Sequence, residues 1–333
     1  MKDMTEDLER TQTIAVLQDD VLTRLDVFVA EKTGTTRSQV QRLIENGNIL
    51  VNHEKTISSY KVKAFDIISM QQQEPEAGIL VPELIPINIL YKDDYLVVVD
   101  KPAGMVVYPA AGHKSGTLLN ALLYHCKKLA SIGGPLRPGV MHRLDKDTSG
   151  VMVVACDDGA YYDLAEQFKM RTINRKYIAL VYGVMKEDSG EIVLDIGRSV
   201  SDRKKMSTKT RRGKEAVTRW KVISRFGNAT LIEAKLGTGR THQIRVHFSA
   251  IGHPVLGDRT YGKKVEVEVK TKEKISFPRQ MLHAETLGFI HPVTREYMEF
   301  SSPVPDDMET CIDKLLKLHE MTVQASAKPL HLR

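Results

Sequence analysis

The chain has 333 residues and a formal net charge of +6, from 48 lysines and arginines against 42 aspartates and glutamates. Its length allows two domains, and its small positive charge is compatible with a phosphate-bearing partner without requiring one. Three cysteines without metal-ligand spacing argue against a disulfide framework and a structural zinc site, and no run of about 18 apolar residues suggests a membrane span.

Two short helices and a strand are predicted near the start of the chain. Apolar residues recur at helical spacing twice, first after Leu22 and again after Arg37. The run Ile49-Leu50-Val51 then indicates a strand. We therefore expect a flexible segment over residues 1–20 and a small α/β domain over residues 21–70.

A linker and a larger domain are predicted to follow. Residues 71–86 are rich in glutamine and proline, which interrupts helices and inner strands, so we place the linker there. Beyond it, short β-branched runs such as residues 151–154 alternate with glycine and aspartate turns. This pattern predicts an α+β domain with a large, mainly antiparallel sheet over residues 87–325.

The polar loop that precedes residues 151–154 carries the densest set of reactive side chains. It brings together an imidazole, a guanidinium and a carboxylate at His142, Arg143 and Asp145, next to a strand that is apolar enough to be buried. This combination suits a catalytic site. A turn rich in aspartate, serine and glycine would have the same composition, so composition alone leaves both interpretations open.

The loop resembles the signature of the RluA family of pseudouridine synthases. Its letters HRLDKDTSG match the family pattern HRLDxxTSG, and residues 100–104, 175–177 and 239–247 agree with further family segments in order and spacing. The resemblance covers about residues 87–306. It implies a pseudouridine synthase catalytic domain that isomerises specific uridines in structured RNA, with 23S ribosomal RNA as the expected substrate.

The resemblance also implies catalytic roles. Asp145 is expected to be the nucleophile or base, Tyr177 to lie against the uracil ring, and Arg245 to pair with Asp145 and hold it ionised. The reaction breaks a carbon–nitrogen glycosidic bond and rejoins the base through carbon 5, without net redox change or a donated group. No cofactor and no metal are therefore expected.

Three further positions are expected to bind the substrate. Ile244 would form an apolar floor, Arg143 would fill the space left by the flipped base, and His142 lies beside them in the signature. Family members commonly carry histidine where this chain has Tyr108, so we assign no chemistry to that position.

Two segments are predicted to contact RNA. The N-terminal unit resembles the S4-type RNA-binding module, with Arg37, Gln41 and Arg42 on a helix face that would meet phosphates, although Phe65-Asp66 replaces the usual Gly-Asp. The second segment has the strongest local charge excess, which a solvated loop would also show. Its residues expected to contact the RNA backbone are Arg203, Lys204, Lys205, Arg211 and Arg212.

Other sites were weighed against this interpretation. His242 and His247 are five residues apart, which would place them on opposite faces of a strand and disfavours a shared metal. Asp145 and Asp147 could form a glycosidase pair, but Asp147 stands where a turn aspartate is expected.

The sequence therefore predicts a monomeric, cytoplasmic RNA-modifying enzyme whose partner is structured RNA. Two alternatives stay open at this point. One is a catalytically idle RNA-binding or ribosome-assembly protein on the same scaffold, and the other is a synthase directed at transfer RNA.

Overall fold

The computed structural model describes residues 11–71, 80–110, 112–202, 205–210, 212–262, 266–268 and 274–326. The chain divides into two compact units, Met1–Gly78 and Ile79–Arg333. Among the described residues, every helix is too short or too polar to cross a lipid bilayer.

The first unit is a four-stranded antiparallel sheet with two helices. Its strands lie in the order β1-β4-β2-β3, and the helices bury apolar residues such as Leu25, Phe28 and Val40. Gly34 ends the first helix in the left-handed region at φ 68°, which glycine adopts readily. The elements are β1 (Thr11–Ala15), α1 (Leu25–Thr33), α2 (Arg37–Glu45), β2 (Ile49–Val51), β3 (Glu54–Lys55) and β4 (Ile67–Gln71).

The start of this unit differs from the prediction. Residues 11–15, expected to lie in a flexible segment ahead of the domain, instead form β1 and pair with β4. Their sequence TQTIA contains the β-branched residues Thr11, Thr13 and Ile14, but it is short and largely polar and lacks the apolar run by which the other strands were predicted. Hydrogen bonding to β4, more than fifty residues later, makes it a strand.

The second unit is built on a nine-stranded sheet. The strand order is β5-β6-β7-β16-β8-β13-β12-β9, with β17 also paired to β16, and only β7 and β16 run parallel among these described strands. The predicted α+β fold with a mainly antiparallel sheet is confirmed. The strands are β5 (Asn88–Lys92), β6 (Leu96–Lys101), β7 (Ser149–Ala155), β8 (Asn174–Tyr182), β9 (Ser189–Val193), β12 (Val217–Arg225), β13 (Ala229–Leu236), β16 (Leu282–Ile290) and β17 (Tyr297–Ser301).

Helices and two small hairpins complete the second unit. Helix α3 begins with a capping box in which Thr117 and Asn120 satisfy each other's backbone amides. The helices are α3 (Leu118–His125), α4 (Asp158–Met170), α5 (Gln243–Ala250) and α6 (Asp306–Ser326), and the hairpins pair β10 (Gly197–Arg198) with β11 (Met206–Ser207) and β14 (Glu266–Glu268) with β15 (Lys274–Ser276).

The described end of the predicted linker belongs to the second unit. Asn120 Nδ2 donates a hydrogen bond to the Val81 carbonyl at 2.8 Å, and the Glu83 amide donates to the Asn120 carbonyl at 2.9 Å. Leu80 packs against the core of this unit. Prolines do not prevent such packing, because an extended segment needs no helical or ladder hydrogen bonds. Residues 72–79 lie outside the described part of the chain.

Candidate active site

Asp145 lies in the loop that leads into β7, a strand whose every residue is buried. Gly150, at the start of this strand, has φ +118°, and a side chain there would collide with the Ala284 carbonyl of β16. The glycine of the signature is therefore required by the close approach of two parallel strands. This approach fixes where the loop ends and hence where Asp145 can lie.

Buried side chains from distant segments hold the backbone on the far side of Asp145. Burial lowers the pKa of Lys101 to about 7, while three carbonyl oxygens accept from its Nζ, a number that matches the three donors of the ammonium form. The contacts to the loop are Lys101 Nζ to the Lys146 carbonyl at 3.1 Å, Arg279 Nη1 to the Asp147 carbonyl at 3.0 Å and Gln280 Nε2 to Thr148 Oγ1 at 2.8 Å.

Arg245 lies between two carboxylates. Its Nη1 donates to Asp145 Oδ2 at 2.8 Å, while its Nε and Nη2 donate to Asp258 at 2.7 and 3.0 Å. Burial lowers the pKa of Arg245, but the hydrogen bonds and charges of the two aspartates raise it above its ordinary value. Asp258 is fully buried and also accepts from the amides of Thr260 and Tyr261. Asp258 therefore fixes the guanidinium so that Nη1 points at Asp145.

His242 approaches the second oxygen of Asp145. Its Nε2 lies 3.6 Å from Asp145 Oδ1, and its Nδ1 lies 2.7 Å from the Tyr261 hydroxyl, which also accepts from the Met206 amide. Burial lowers the pKa of His242, so the ring is neutral at pH 7. We assign its hydrogen to Nε2, because the other tautomer would direct a lone pair at the carboxylate.

The site residues expected from the family resemblance line a cavity of about 360 Å³. Asp145, Tyr177, Ile244 and Arg245 all line it, and its volume falls within the range of small-molecule sites. Tyr177 is on β8 and Ile244 is in the first turn of α5; each is less than a tenth exposed. Burial raises the pKa of Tyr177, which keeps its hydroxyl protonated.

The two other positions predicted to bind substrate also line the cavity. Arg143 donates to the Tyr108 hydroxyl at 2.6 Å and lies 5.1 Å from the centre of its ring, so Tyr108 holds Arg143. His142 stacks on Phe168 with 4.5 Å between ring centres, and its Nε2 lies 3.2 Å from both the amide nitrogen and the carbonyl oxygen of Val153. Burial lowers the pKa of His142 to about 3, so its ring is an uncharged part of the wall.

The strand expected around His242 and His247 was wrong, because residues 243–250 form α5. The helix buries both its apolar and its polar residues, so its sequence lacks the contrast between an apolar and a polar face that indicates a helix. His247 contacts Thr218 Oγ1 at 3.0 Å and the Leu194 carbonyl at 2.9 Å. Among the described residues, no cluster of histidine, cysteine or acidic side chains could hold a metal ion.

The predicted RNA-contacting residues of the first unit lie around a buried carboxylate. Asp26 is fully buried and accepts from Arg37 Nε at 2.9 Å, from Gln41 Nε2 at 2.6 Å and from Arg24. The Gln41 amide is thereby used within the fold. Arg37 is half exposed, and Arg42 is exposed on the same helix, so both can reach a partner.

The second predicted RNA segment is described only in part. Lys205 Nζ lies 3.7 Å from Asp202, and Arg212 is exposed. Arg203, Lys204 and Arg211 lie outside the described residues.

Sequence analysis missed several side chains of this site. Asp258 and Arg279 carry charges that the geometry places at the centre of the hydrogen-bond network, yet they lie in segments without a recognisable motif. Lys101 belongs to a segment that matched the family, but the match alone did not suggest that it binds the loop after Asp145. For Asp258, the adjacent Gly257 was the sole local signal, and it indicated a turn.

Comparisons with known proteins agree with this geometry. Residues 95–250 match the family model described as RNA pseudouridylate synthase, and residues 23–68 match the S4 domain model. An uncharacterized RNA pseudouridine synthase of Bacillus subtilis (strain 168) is 45% identical over 295 residues, covering 88% of this chain and 94% of that protein. The ribosomal large subunit pseudouridine synthase D of Zymomonas mobilis is 41% identical over 311 residues, covering 92% and 98%.

A solved structure shows the same likeness. Human RNA pseudouridylate synthase domain containing 1 is 28% identical, with a TM-score of 0.53, and the match covers 74% of this chain and 97% of that one.

Proposed function

Since the chain belongs to the RluA family of RNA pseudouridine synthases, we propose that it isomerises specific uridines of 23S ribosomal RNA with Asp145 as its catalytic carboxylate. The observation that carries this proposal is the Asp145 carboxylate in the cavity, held at one oxygen by Arg245 at 2.8 Å and approached at the other by His242. A carboxylate held in this way is aimed before the substrate arrives.

The side chains around Asp145 suit the chemistry. The bond between N1 of uracil and C1′ of ribose breaks, the base turns, and C5 bonds to C1′. C5 then loses its proton and N1 gains one, so the atoms balance. Tyr177 and Ile244 offer a flat ring and an apolar surface for the turning base. Arg143, held by Tyr108, is the group that would occupy the gap in the RNA stack once the uridine has flipped out.

The choice of ribosomal RNA rests on two findings. Relatives that cover almost the whole chain carry the name ribosomal large subunit pseudouridine synthase D. The S4 domain adds a second RNA-contacting surface, with Arg37 and Arg42 exposed on α2. Phosphate contacts from such a surface position a structured RNA without reading its sequence.

The test is release of tritium from C5 of labelled uridine. We expect the parent protein to release tritium from a 23S transcript and the Asp145→Asn variant to lose at least a hundredfold of that activity, roughly 2.7 kcal/mol of transition-state stabilisation. Asp147→Asn is the matched control, because its carboxylate is two residues away in the same loop. It should stay within a fewfold of the parent.

Four outcomes would contradict the proposal. Turnover by Asp145→Asn close to that of the parent would remove the catalytic role of Asp145. Equal loss in Asp147→Asn would favour a pair of carboxylates instead. No release from 23S RNA by the parent, with release from transfer RNA, would move the substrate class, and no release from either would favour the idle RNA-binding protein.

A further inference from the structure

Arg175 has no acceptor for its guanidinium among the described residues, although its residue is only 8% exposed. Its Nε is a buried donor without a hydrogen-bond partner, and no described carboxylate pairs with it. Burial lowers the pKa of Arg175, as expected for a charge removed from water without compensation. A buried charge without a partner is strongly unfavourable. Arg175 is therefore a buried cation that an anion in the cavity would stabilise.

The other basic side chains that line the cavity already have hydrogen-bond acceptors. The cavity is lined by five basic side chains and one carboxylate, and the other four basic residues have acceptors. Arg245 holds Asp145, and Arg143 holds the Tyr108 hydroxyl. The two rim residues have acceptors too, Arg240 Nε at the Glu215 carbonyl and Lys169 Nζ at Glu166. Arg175 is left as the one basic group of the described lining without an acceptor.

The wall behind Arg175 holds it in place. Its guanidinium lies 5.4 Å from the centre of the Phe168 ring, and His142 stacks on the same ring. The neutral state of His142 adds no positive charge next to Arg175. Aromatic stacking restrains the plane of the guanidinium without supplying a hydrogen-bond acceptor, so its donors stay available.

The segment that leads into α5 lies next to Arg175. A side chain at Gly239 would come within 2.8 Å of Arg175 Nη1, and all residues from Gly239 to Arg245 line the cavity. The Gln243 amide donates to the Arg240 carbonyl at 3.1 Å, but the next amides of the first turn have no acceptor within the helix, and no side chain caps the start of α5. Those amides and the helix dipole favour an anion in the cavity that Arg175 also lines.

We propose that Arg175 and the N-terminus of α5 form a subsite for one of the two phosphodiester groups that join the target uridine to its neighbours. This proposal rests on the proposed function and names the part of the substrate that the subsite binds. A phosphodiester would supply a negative charge to neutralise Arg175, whereas the uracil carbonyls are neutral and would leave the buried positive charge uncompensated. A flipped nucleotide also brings its own phosphates into the site.

The residue spacing is consistent with this use. Arg175 and Tyr177 are two residues apart on β8, so their side chains share a face and their Cα atoms are about 6.6–7 Å apart. With the uracil against Tyr177, a phosphate of the same nucleotide can reach Arg175. The subsite would position the nucleotide through its backbone, independently of the neighbouring bases.

The experiment combines protein variants with charge removal in the RNA. A stem-loop around a uridine that the parent enzyme converts in 23S RNA is made in three forms: unmodified, with a neutral methylphosphonate on the 5′ side of the target, and with one on the 3′ side. The parent is compared with Arg175→Gln and with Lys176→Gln. Lys176 is the matched control, because it is the adjacent basic residue of β8 and points to the opposite sheet face.

We expect one methylphosphonate to weaken the parent's binding about ten- to hundredfold, the usual worth of a hydrogen-bonded ion pair. Arg175→Gln should weaken binding of unmodified RNA by a similar factor, with little further loss on that methylphosphonate RNA. Lys176→Gln should behave like the parent. The melting temperature of Arg175→Gln without RNA should equal or exceed that of the parent, because no partner is left unpaired.

Two results would overturn the subsite. In the first, neither methylphosphonate weakens RNA binding by the parent. This test does not depend on whether any variant folds. In the second, the losses from Arg175→Gln and from the methylphosphonates multiply, which would show independent contacts. The proposed function fails separately, since it predicts that the parent converts the unmodified stem-loop whatever Arg175 binds.

Discussion

Arg245→Met should destabilise the second unit far more than Asp145→Asn, although both changes alter a partner of the same 2.8 Å contact. The difference lies in Asp258, which is fully buried and receives two hydrogen bonds from Arg245. Without Arg245, the donors left to the Asp258 carboxylate among the described residues are the backbone amides of Thr260 and Tyr261. A charge that was buried with a partner would then be buried without one.

The magnitudes follow from these contacts. Removing one partner of a buried ion pair costs about 3–5 kcal/mol. Asp145→Asn should cost only about 1 kcal/mol, because the amide oxygen still accepts from Arg245 and the loss is that of a charged acceptor. For a unit of this size, each kcal/mol lowers the melting temperature by about 2–4 °C. We therefore expect losses of about 6–20 °C for Arg245→Met against about 2–4 °C for Asp145→Asn.

The assay is urea and thermal unfolding of three single variants, Arg245→Met, Asp145→Asn and Asp258→Asn, and of Arg245→Met combined with Asp258→Asn. If the stranded Asp258 charge causes the loss, removing it should restore part of the stability. The double variant should then be about 1–3 kcal/mol more stable than the sum of the single changes predicts. Additive effects, or a smaller loss for Arg245→Met than for Asp145→Asn, would refute this account of the network.

Two further predictions concern the first unit. Burial raises the pKa of Asp26, but hydrogen bonds from Arg24, Arg37 and Gln41 outweigh it and bring that pKa well below its usual 3.8. The folded unit is therefore stabilised above pH 3.8 and loses this stability as pH falls through the lower folded-state pKa. Asp26→Asn should be less stable at pH 7 and should lose less on acidification, which amide hydrogen exchange in α1 and α2 would measure against the parent. The same dependence of stability on pH in Asp26→Asn and in the parent would contradict the assignment of this effect to Asp26. A chain starting at Ile79 should keep its activity on a short stem-loop but bind long ribosomal RNA less tightly. Its log–log salt slope should be shallower by about 0.7–0.9 for each phosphate that the first unit binds in the full chain. Equal affinity, slope and site choice for both chains would exclude an RNA-binding role of the first unit.

Much of the architecture could be predicted from local sequence. The antiparallel sheet of the second unit follows from β-branched runs of strand length, and the helices of the first unit follow from apolar spacing. The loop that carries Asp145 could be located because the whole signature, from His142 to Gly150, lies within nine consecutive residues. Gly150, which the close approach of β7 and β16 requires, is part of the same run of residues.

Prediction failed where local pattern and tertiary contact disagree. Residues 11–15 form a short, largely polar strand whose pairing with β4 is not visible in the local sequence, and residues 243–250 form a helix where a strand was expected around His242 and His247. Burial on several sides removes the contrast between apolar and polar faces on which periodicity depends. Element boundaries at the start of both units were displaced for a related reason, since packing at Val81 and Glu83 leaves no mark in composition.

The sequence by itself determined the family and the fold class, and it predicted Asp145, Tyr177 and Arg245 as catalytic residues, because these depend on residues that are neighbours in the chain or in a motif. The tertiary structure alone decided that Asp258 fixes Arg245 and that Arg175 has no acceptor among the described residues. The strength of an ion pair, and the cost of a missing one, depend on distance and burial in three dimensions. Neither quantity is encoded in the local order of residues.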